Sequence, residues 1–421
     1  MRLIPKGLTR SSMWLSSQIY FREAPHKSQR PYCHQNNQVP NRTSRIWDQN
    51  PVIVRDACTC HMCVDGNSGQ KNFRTTDIPR NITPRNCELV EGGVQIQWKN
   101  DIPGFESHKT FLTHLQVQSS EGQIIIKDVE EQMLTWDKFQ LNQSLPALRF
   151  NYQSYLDEDH ILHQVLCKMQ KWGIVFFEQV PESEKAVEAI AGRLGPLRNT
   201  FYGQTWDVKS IPAAHNVAYT NKYLGLHQDL LYMKIPPGMQ ILHCLQNSCQ
   251  GGESLFSDAF RAAEQISSKA YKVLSEEHIF YHYHKVNEHY FCSHPIFEND
   301  QNSNPNSCKP IPSFVNYSPP FQASFPWGTR FVRSQKILQS LTEFEEIVES
   351  TRNLFEYKLK PGECVMFNNR RILHGRKAFN TTDGKRWLKG CYLDTEVFMS
   401  RARTVHERFR TRQESVEANI D

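Results

Sequence analysis

Apolar and polar residues alternate along Gly93-Val94-Gln95-Ile96-Gln97-Trp98, the two-residue period of a strand with one buried face. The β-branched run Val52-Ile53-Val54 predicts another short strand. Further on the period changes. Ile161, Val165, Leu166 and Met169 share one face of a helix over 160–171, and Val187, Ile190 and Leu194 do so over 185–194. Between these helices, Gly173-Ile174-Val175-Phe176-Phe177 is a short apolar strand. From Val217 onward strand-like pieces recur at 239–245, 279–283, 363–367 and 387–393. Ile235-Pro236-Pro237-Gly238 and Lys360-Pro361-Gly362-Glu363 are turns between them. The polar stretch 119–143, closed by Pro146, reads as a connection, and the Asn-, Ser- and Pro-rich segment 299–312 as a loop. Many short strands with a few helices predict a mainly β protein with flanking helices, built on a barrel or sandwich.

Composition narrows the class. The chain has 421 residues, of which 39% are hydrophobic and 22% charged, a globular balance that excludes collagen, coiled coil and wholesale disorder. No apolar run approaches a membrane span. The net charge of +5 is too mild to argue for a nucleic-acid partner. Much of the excess lies before residue 48, where Arg2, Lys6, Arg10, Arg22, Lys27, Arg30, Arg42 and Arg45 face the single acid Glu23. Arg-rich, Ser-rich and acid-poor is the composition of a mitochondrial transit peptide. The expectation is therefore a transit or extension segment over 1–45 and a mitochondrial location, with the cytoplasm as the alternative.

Three of the 12 cysteines crowd into Cys58-Thr-Cys60-His61-Met-Cys63. A chain of this size without a secretory signal is an unexpected place for a disulfide scaffold, so the cluster reads as a metal site. Tetrahedral zinc needs a fourth ligand. His108, in Glu106-Ser107-His108, is the candidate, and His61 is the competing choice in a tighter loop. A closed Cys₃His shell leaves no position for water, which makes the zinc structural. A nucleic-acid-binding zinc ribbon is discounted because Asp56, Asp65, Asp77 and Glu88 surround the cluster.

The segment Leu224-Gly225-Leu226-His227-Gln228-Asp229 carries a second metal signal. In an extended strand residues i and i+2 point to one side, so His227 and Asp229 can reach one ion. His374, in Arg371-Ile372-Leu373-His374-Gly375-Arg376, completes the set. Two His and one carboxylate cover one face of an octahedron and leave three positions open, which suits Fe(II) that binds a bidentate co-substrate and then O₂. Arg386, on the strand-like Arg386–Tyr392, can pair bidentately with the distal carboxylate of 2-oxoglutarate. Ser254, in Gly251-Gly252-Glu253-Ser254, can donate a hydroxyl to the same group.

These motifs stand in order with Tyr202-Gly-Gln-Thr-Trp206-Asp-Val, Asn216-Val-Ala-Tyr219-Thr, Pro236-Pro-Gly and Leu242-His-Cys. Over residues 53–403 the chain resembles the γ-butyrobetaine dioxygenase family of Fe(II)/2-oxoglutarate oxygenases, related to trimethyllysine and taurine dioxygenases. The resemblance implies a double-stranded β-helix (jelly-roll) catalytic domain over 141–421 and a small zinc-binding β domain over 46–140. It implies iron on His227, Asp229 and His374, 2-oxoglutarate on Arg386, ascorbate as reductant, and a homodimer. It also implies an aromatic cage for a trimethylammonium group at Tyr202, Trp206 and Tyr219, with Tyr392 helping to close the pocket. A quaternary ammonium has no N–H to donate, so aromatic faces hold it by cation–π attraction.

Asn216 stands where trimethyllysine dioxygenase has an Asp, and an amide can serve a bare carboxylate that an Asp would repel. Ser318 stands where the family offers a second amide, so carboxylate recognition departs from the pattern there. The expected reaction is hydroxylation of γ-butyrobetaine, or a close trimethylammonium carboxylate, to L-carnitine, with release of succinate and CO₂. The alternatives are trimethyllysine as substrate, or a non-enzymatic zinc-containing interaction protein with a degenerate oxygenase domain.

Overall fold

The computed structural model describes residues 49–113, 133–209, 220–299, 309–382 and 384–417. Asn216 and Tyr219, and the expected extension over 1–45, lie outside the described residues. The chain divides into two compact units, Met1–Ile125 and Ile126–Asp421.

In the first unit the antiparallel sheet β1 (Pro84–Val90), β2 (Gly93–Trp98) and β3 (Lys109–Thr113) forms the frame. Val94, Ile96 and Trp98 of β2 point into a small core that includes Cys58, Cys63 and Phe73. The expected strand at Val52-Ile53-Val54 is instead a helix, Pro51–Asp56. Asn50 caps it by accepting a hydrogen bond from the Val52 N–H, and Pro51 occupies the first turn, where its missing N–H costs nothing. Here the cap outweighs the strand preference of three β-branched residues.

The second unit contains a six-stranded and a four-stranded sheet. In spatial order the larger holds β4 (Arg149–Asn151), β5 (Ile174–Glu178), β15 (Cys364–Asn368), β8 (Met239–Asn247), β17 (Arg386–Leu393) and β6 (Thr205–Lys209). The smaller holds β14 (Phe355–Tyr357), β9 (Ser254–Asp258), β16 (Ile372–Arg376) and β7 (Leu224–His227). All neighbours pair antiparallel except β4 and β5. The remaining strands are the hairpin β10 (His278–Lys285) and β11 (Glu288–Pro295), and the short pair β12 (Phe297–Glu298) and β13 (Phe314–Val315), which flanks the expected loop. This is the jelly-roll-like α+β arrangement.

Helix Asp159–Trp172 buries Leu162, Val165, Leu166, Met169 and Trp172 and stops at Gly173, whose φ of 72° is left-handed. Helices Phe331–Val348 and Thr395–Glu417 were not expected. Helix Lys138–Ser144 was not expected either, and it lies inside the stretch read as a connection. Asp137 caps it by accepting from the N–H groups of Phe139 and Gln140. The domain boundary also differs from the expected residue 140. Trp136 is fully buried in the second unit's core, its Nε1–H donates to the Trp172 carbonyl at 2.8 Å, and its backbone N–H donates to Asp258.

Candidate active site

Antiparallel pairing of β7 with β16 sets His227 directly opposite His374, with ring centroids 4.3 Å apart. Asp229 lies past the end of β7, in a turn, and not on the extended strand that the i, i+2 argument assumed. The turn passes through Leu230 with φ of 62°. Asn369 braces it: the Asp229 N–H donates to Asn369 Oδ1 at 2.9 Å, and Asn369 Nδ2 donates to the carbonyls of Asp229 and Pro237. The turn therefore does what the strand was expected to do. His227 Nε2 is 3.4 Å from Asp229 Oδ1, and His374 Nε2 is 3.7 Å from Oδ2. One ligand atom from each residue lies within 4.8 Å of the other two.

Protonation suits a cation. The His227 Nδ1–H donates to the Gly225 carbonyl, 2.9 Å away, which leaves Nε2 for a metal. Burial, reinforced by His227, draws His374 down to about 3, so its imidazole is neutral. Burial opposes ionisation of Asp229, yet the His227 hydrogen bond, both imidazoles and the Tyr392 hydroxyl hold its carboxyl well below the usual range. Two imidazoles and one carboxylate fit a divalent ion such as Fe(II).

The triad opens into a cavity between the two sheets. Trp206, Val208, Leu242 and Leu388 line it from the larger sheet; Leu224, Phe256, Ser254, Arg376 and the two histidines line it from the smaller. Arg386 closes one end. Its Nε–H donates to the Gly252 carbonyl at 3.3 Å, and among the described residues it has no carboxylate partner. Burial pulls this guanidinium down to about 10. Arg376 falls further, to about 9, by burial and by repulsion from Arg386. A buried cationic pair at one end of an apolar cavity is a site for an anion.

The structure thus brings together His227, Asp229, His374, Ser254, Arg386 and Trp206. Tyr202 is not among the cavity-lining residues; its hydroxyl lies 3.4 Å from that of Tyr232, within a cluster containing Phe201 and Tyr283. Tyr392 differs from the expectation too. It is buried behind Trp206, stacked on it at 3.9 Å, and its O–H donates to Asp229 Oδ2 at 2.6 Å. Sequence reasoning missed Arg376 and Asn369. Strand alternation, which puts Arg376 on the face of His374, is the signal that could have found it, whereas nothing local marks Asn369.

In the first unit the ligand atoms of Cys58, Cys60, Cys63 and His108 lie within 4.8 Å of one another, and His61 is not part of the group. His108 Nε2 is 3.4 Å from Cys58 Sγ and 3.2 Å from Cys63 Sγ, while its Nδ1 faces Asp101 Oδ2 at 3.1 Å. That second contact is the support a metal-bound imidazole normally has. Arg55 is fully buried, pairs with Asp101 at 2.6 Å and donates to Cys63 Sγ. Burial opposes ionisation of Cys58, but the His108 hydrogen bond draws its thiol down to about 6.

The family profile for TauD/TfdA, the taurine catabolism dioxygenases, matches residues 138–392. The chain belongs to the TauD/TfdA dioxygenase family. It is a 2-oxoglutarate-dependent dioxygenase of this Fe(II)-using family. Among curated relatives, Dioxygenase str8 of Strobilurus tenacellus is 35% identical over 83% of each chain. The γ-butyrobetaine dioxygenase of Homo sapiens is 30% identical over 85% of this chain and 91% of its own. The mitochondrial trimethyllysine dioxygenase of Homo sapiens is 29% identical over 84% and 81%. A crystal structure of a taurine dioxygenase from Burkholderia xenovorans has a TM-score of 0.44 at 17% identity, covering 58% of this chain and 84% of that one. An assembled His227, Asp229, His374 set with Arg386 on the same cavity stands against the alternative of a degenerate oxygenase domain.

Proposed function

We propose that this enzyme hydroxylates a trimethylammonium carboxylate, with γ-butyrobetaine as the first choice and L-carnitine as its product. The observation that carries the reading is the single cavity onto which the triad, Arg386, Ser254 and Trp206 all open. His227, Asp229 and His374 would hold Fe(II), which when bound supplies the activation of O₂ coupled to conversion of 2-oxoglutarate to succinate and CO₂. The rest is positioning by the protein's own groups. Arg386 and the Ser254 hydroxyl hold the distal carboxylate of 2-oxoglutarate. The Trp206 face, stiffened by Tyr392 stacked behind it, attracts the quaternary ammonium. The cation reading rests on Trp206, with Tyr219 as its proposed partner, because Tyr202 packs with Phe201, Tyr232 and Tyr283 and is not among the residues lining this cavity. The apolar walls exclude water, which strengthens each of these contacts.

At the carboxylate end of the substrate, the reading rests on Asn216, with Ser318 standing where the family offers a second amide. The Ser318 hydroxyl is buried without a hydrogen-bond partner among the described residues, next to Tyr317, whose backbone bonds both the side chain and the main chain of Gln228 between two triad members. Identities of 30% and 29% to butyrobetaine and trimethyllysine enzymes leave the choice to this chemistry.

Cys58, Cys60, Cys63 and His108 are proposed to hold structural zinc. The basic, serine-rich N-terminus and the mitochondrial trimethyllysine relatives support a mitochondrial address. The deciding experiment is 2-oxoglutarate turnover with Fe(II) and ascorbate, with γ-butyrobetaine and trimethyllysine side by side. Succinate release strictly dependent on butyrobetaine is expected; dependence on trimethyllysine alone refutes the choice. Asn216→Asp should weaken butyrobetaine tenfold or more, because like charges in a desolvated pocket repel by on the order of a few kcal/mol. Trimethyllysine, which carries an ammonium beside its carboxylate, should lose less.

A further inference from the structure

Away from the cavity, helix Asp159–Trp172 and helix Thr395–Glu417 carry a third grouping of metal-ligand side chains. His163 and Cys167 are four apart, so they lie on one face of the first helix, and His163 Nε2 is 3.8 Å from Cys167 Sγ. The second helix brings His406 to the same point, with Nδ1 4.0 Å from that sulfur. One ligand atom from each of the three lies within 4.8 Å of the others.

Two details favour a ligand set over ring packing alone. His406 Nε2 lies 2.7 Å from Gln170 Oε1, one turn along the first helix. An amide oxygen only accepts, so Nε2 carries the proton and the Nδ1 lone pair is turned toward Cys167. That is the arrangement of a metal-bound imidazole, whose other nitrogen donates to a fixed acceptor. The His163 ring is likewise oriented, stacked on Phe409 at 4.5 Å and edge-on to His406 at 4.8 Å. The spacing fits as well. Tetrahedral zinc, with bonds of about 2.3 Å to sulfur and about 2.0 Å to nitrogen, separates S from N by about 3.6 Å, so the two S···N separations need to close by only a few tenths of an ångström.

We propose that His163, Cys167 and His406 form a further metal site, a thiolate–bis-imidazole zinc centre that ties helix 159–172 to helix 395–417. One thiolate and two imidazoles select a borderline-soft divalent ion over iron or magnesium. Binding releases the Cys167 thiol proton to solvent as the S–Zn bond forms. His163 is half-buried, and water or a small external ligand would supply the fourth position. Helix 395–417 begins directly after β17, the strand that carries Arg386 and Tyr392. Zinc at this staple would therefore anchor the continuation of that strand.

The test is titration of the full-length protein with Co(II) alone, after mild removal of iron, for wild type, Cys167→Ser and His406→Gln. Wild type is expected to take up one more equivalent than either variant. It should also show a thiolate-to-cobalt charge-transfer band beyond the one the variants retain from the Cys58 cluster. Equal uptake with superimposable spectra overturns the proposal. A second measurement needs no variant. Iodoacetamide alkylation of Cys167 in wild type, followed by peptide mass spectrometry, should slow roughly tenfold with saturating Zn(II), because the metal occupies the nucleophilic thiolate. An unchanged rate overturns it as well.

Discussion

Asp229 is held at its backbone by Asn369 and at its carboxylate by Tyr392 and the two histidines. His227→Ala or Asp229→Ala removes one of the three proposed iron ligands, so succinate formation should fall to background; near-normal turnover in either variant would remove the triad. Tyr392→Phe keeps the ring that backs Trp206 and deletes only the hydroxyl. Loss of such an outer hydrogen bond typically costs 10- to 100-fold in metal affinity, so the Fe(II) concentration for half-maximal turnover should rise by about tenfold or more. A raised substrate KM with unchanged iron dependence would mean that Tyr392 serves the cage and not the carboxylate. Arg386→Ala should raise the KM for 2-oxoglutarate by about 10- to 100-fold, the worth of charge-assisted hydrogen bonds of about 1.5–3 kcal/mol.

The strand β17 serves the site along its whole length: Arg386 lies at the anion-binding end, Leu388 lines the wall, Gly390 pairs across from Trp206, and Tyr392 reaches Asp229. Gly390 is there for space. A Cβ at this position would stand 2.7 Å from two carbons of the Trp206 indole. Gly390→Ala therefore pushes Trp206 off the cavity wall, at an overpacking cost of about 1–3 kcal/mol. The expected result is a lower melting temperature and a raised KM for the proposed trimethylammonium substrate with that for 2-oxoglutarate little changed. Equal rises in both would place the damage in the fold instead of the cation subsite. The Gly252 carbonyl takes the corresponding part for Arg386, with a φ of 73° that suits glycine.

Each unit of the molecule has its own polar core. In the first, Asp101 joins Arg55 to His108. Burial raises the Asp101 carboxyl, but hydrogen bonds from His108, the Ile102 N–H and Arg55 more than offset this and leave it below 3.8. A carboxyl whose folded pKa lies below its unfolded value contributes stability above about pH 4, and that stability is lost as the pH falls through the folded pKa. Wild type should therefore lose melting temperature below pH 4, and Asp101→Asn, less stable at pH 7, should lose less over that interval. Parallel curves for the two proteins would deny Asp101 this role.

How much of this was legible in the sequence depends on the range of the interactions involved. The amphipathic helix at 159–172 and the alternating strand at 93–98 follow from side-chain period, which neighbours along the chain decide. The grouping of Cys58, Cys60 and Cys63, and of His227 with Asp229, is equally local, and so both could be read as candidate metal sets before any fold was known. The helix at Pro51–Asp56 was misread because a cap outside the β-branched run decided it. The position of Asp229 in a turn, the seating of Tyr392 on its carboxylate, the Asn369 brace and the meeting of His406 with Cys167 were not legible. Those contacts join residues remote along the chain, through cross-strand register and helix docking. Both are settled by how whole faces pack against one another, a sum of many weak long-range contacts that no short run of residues encodes.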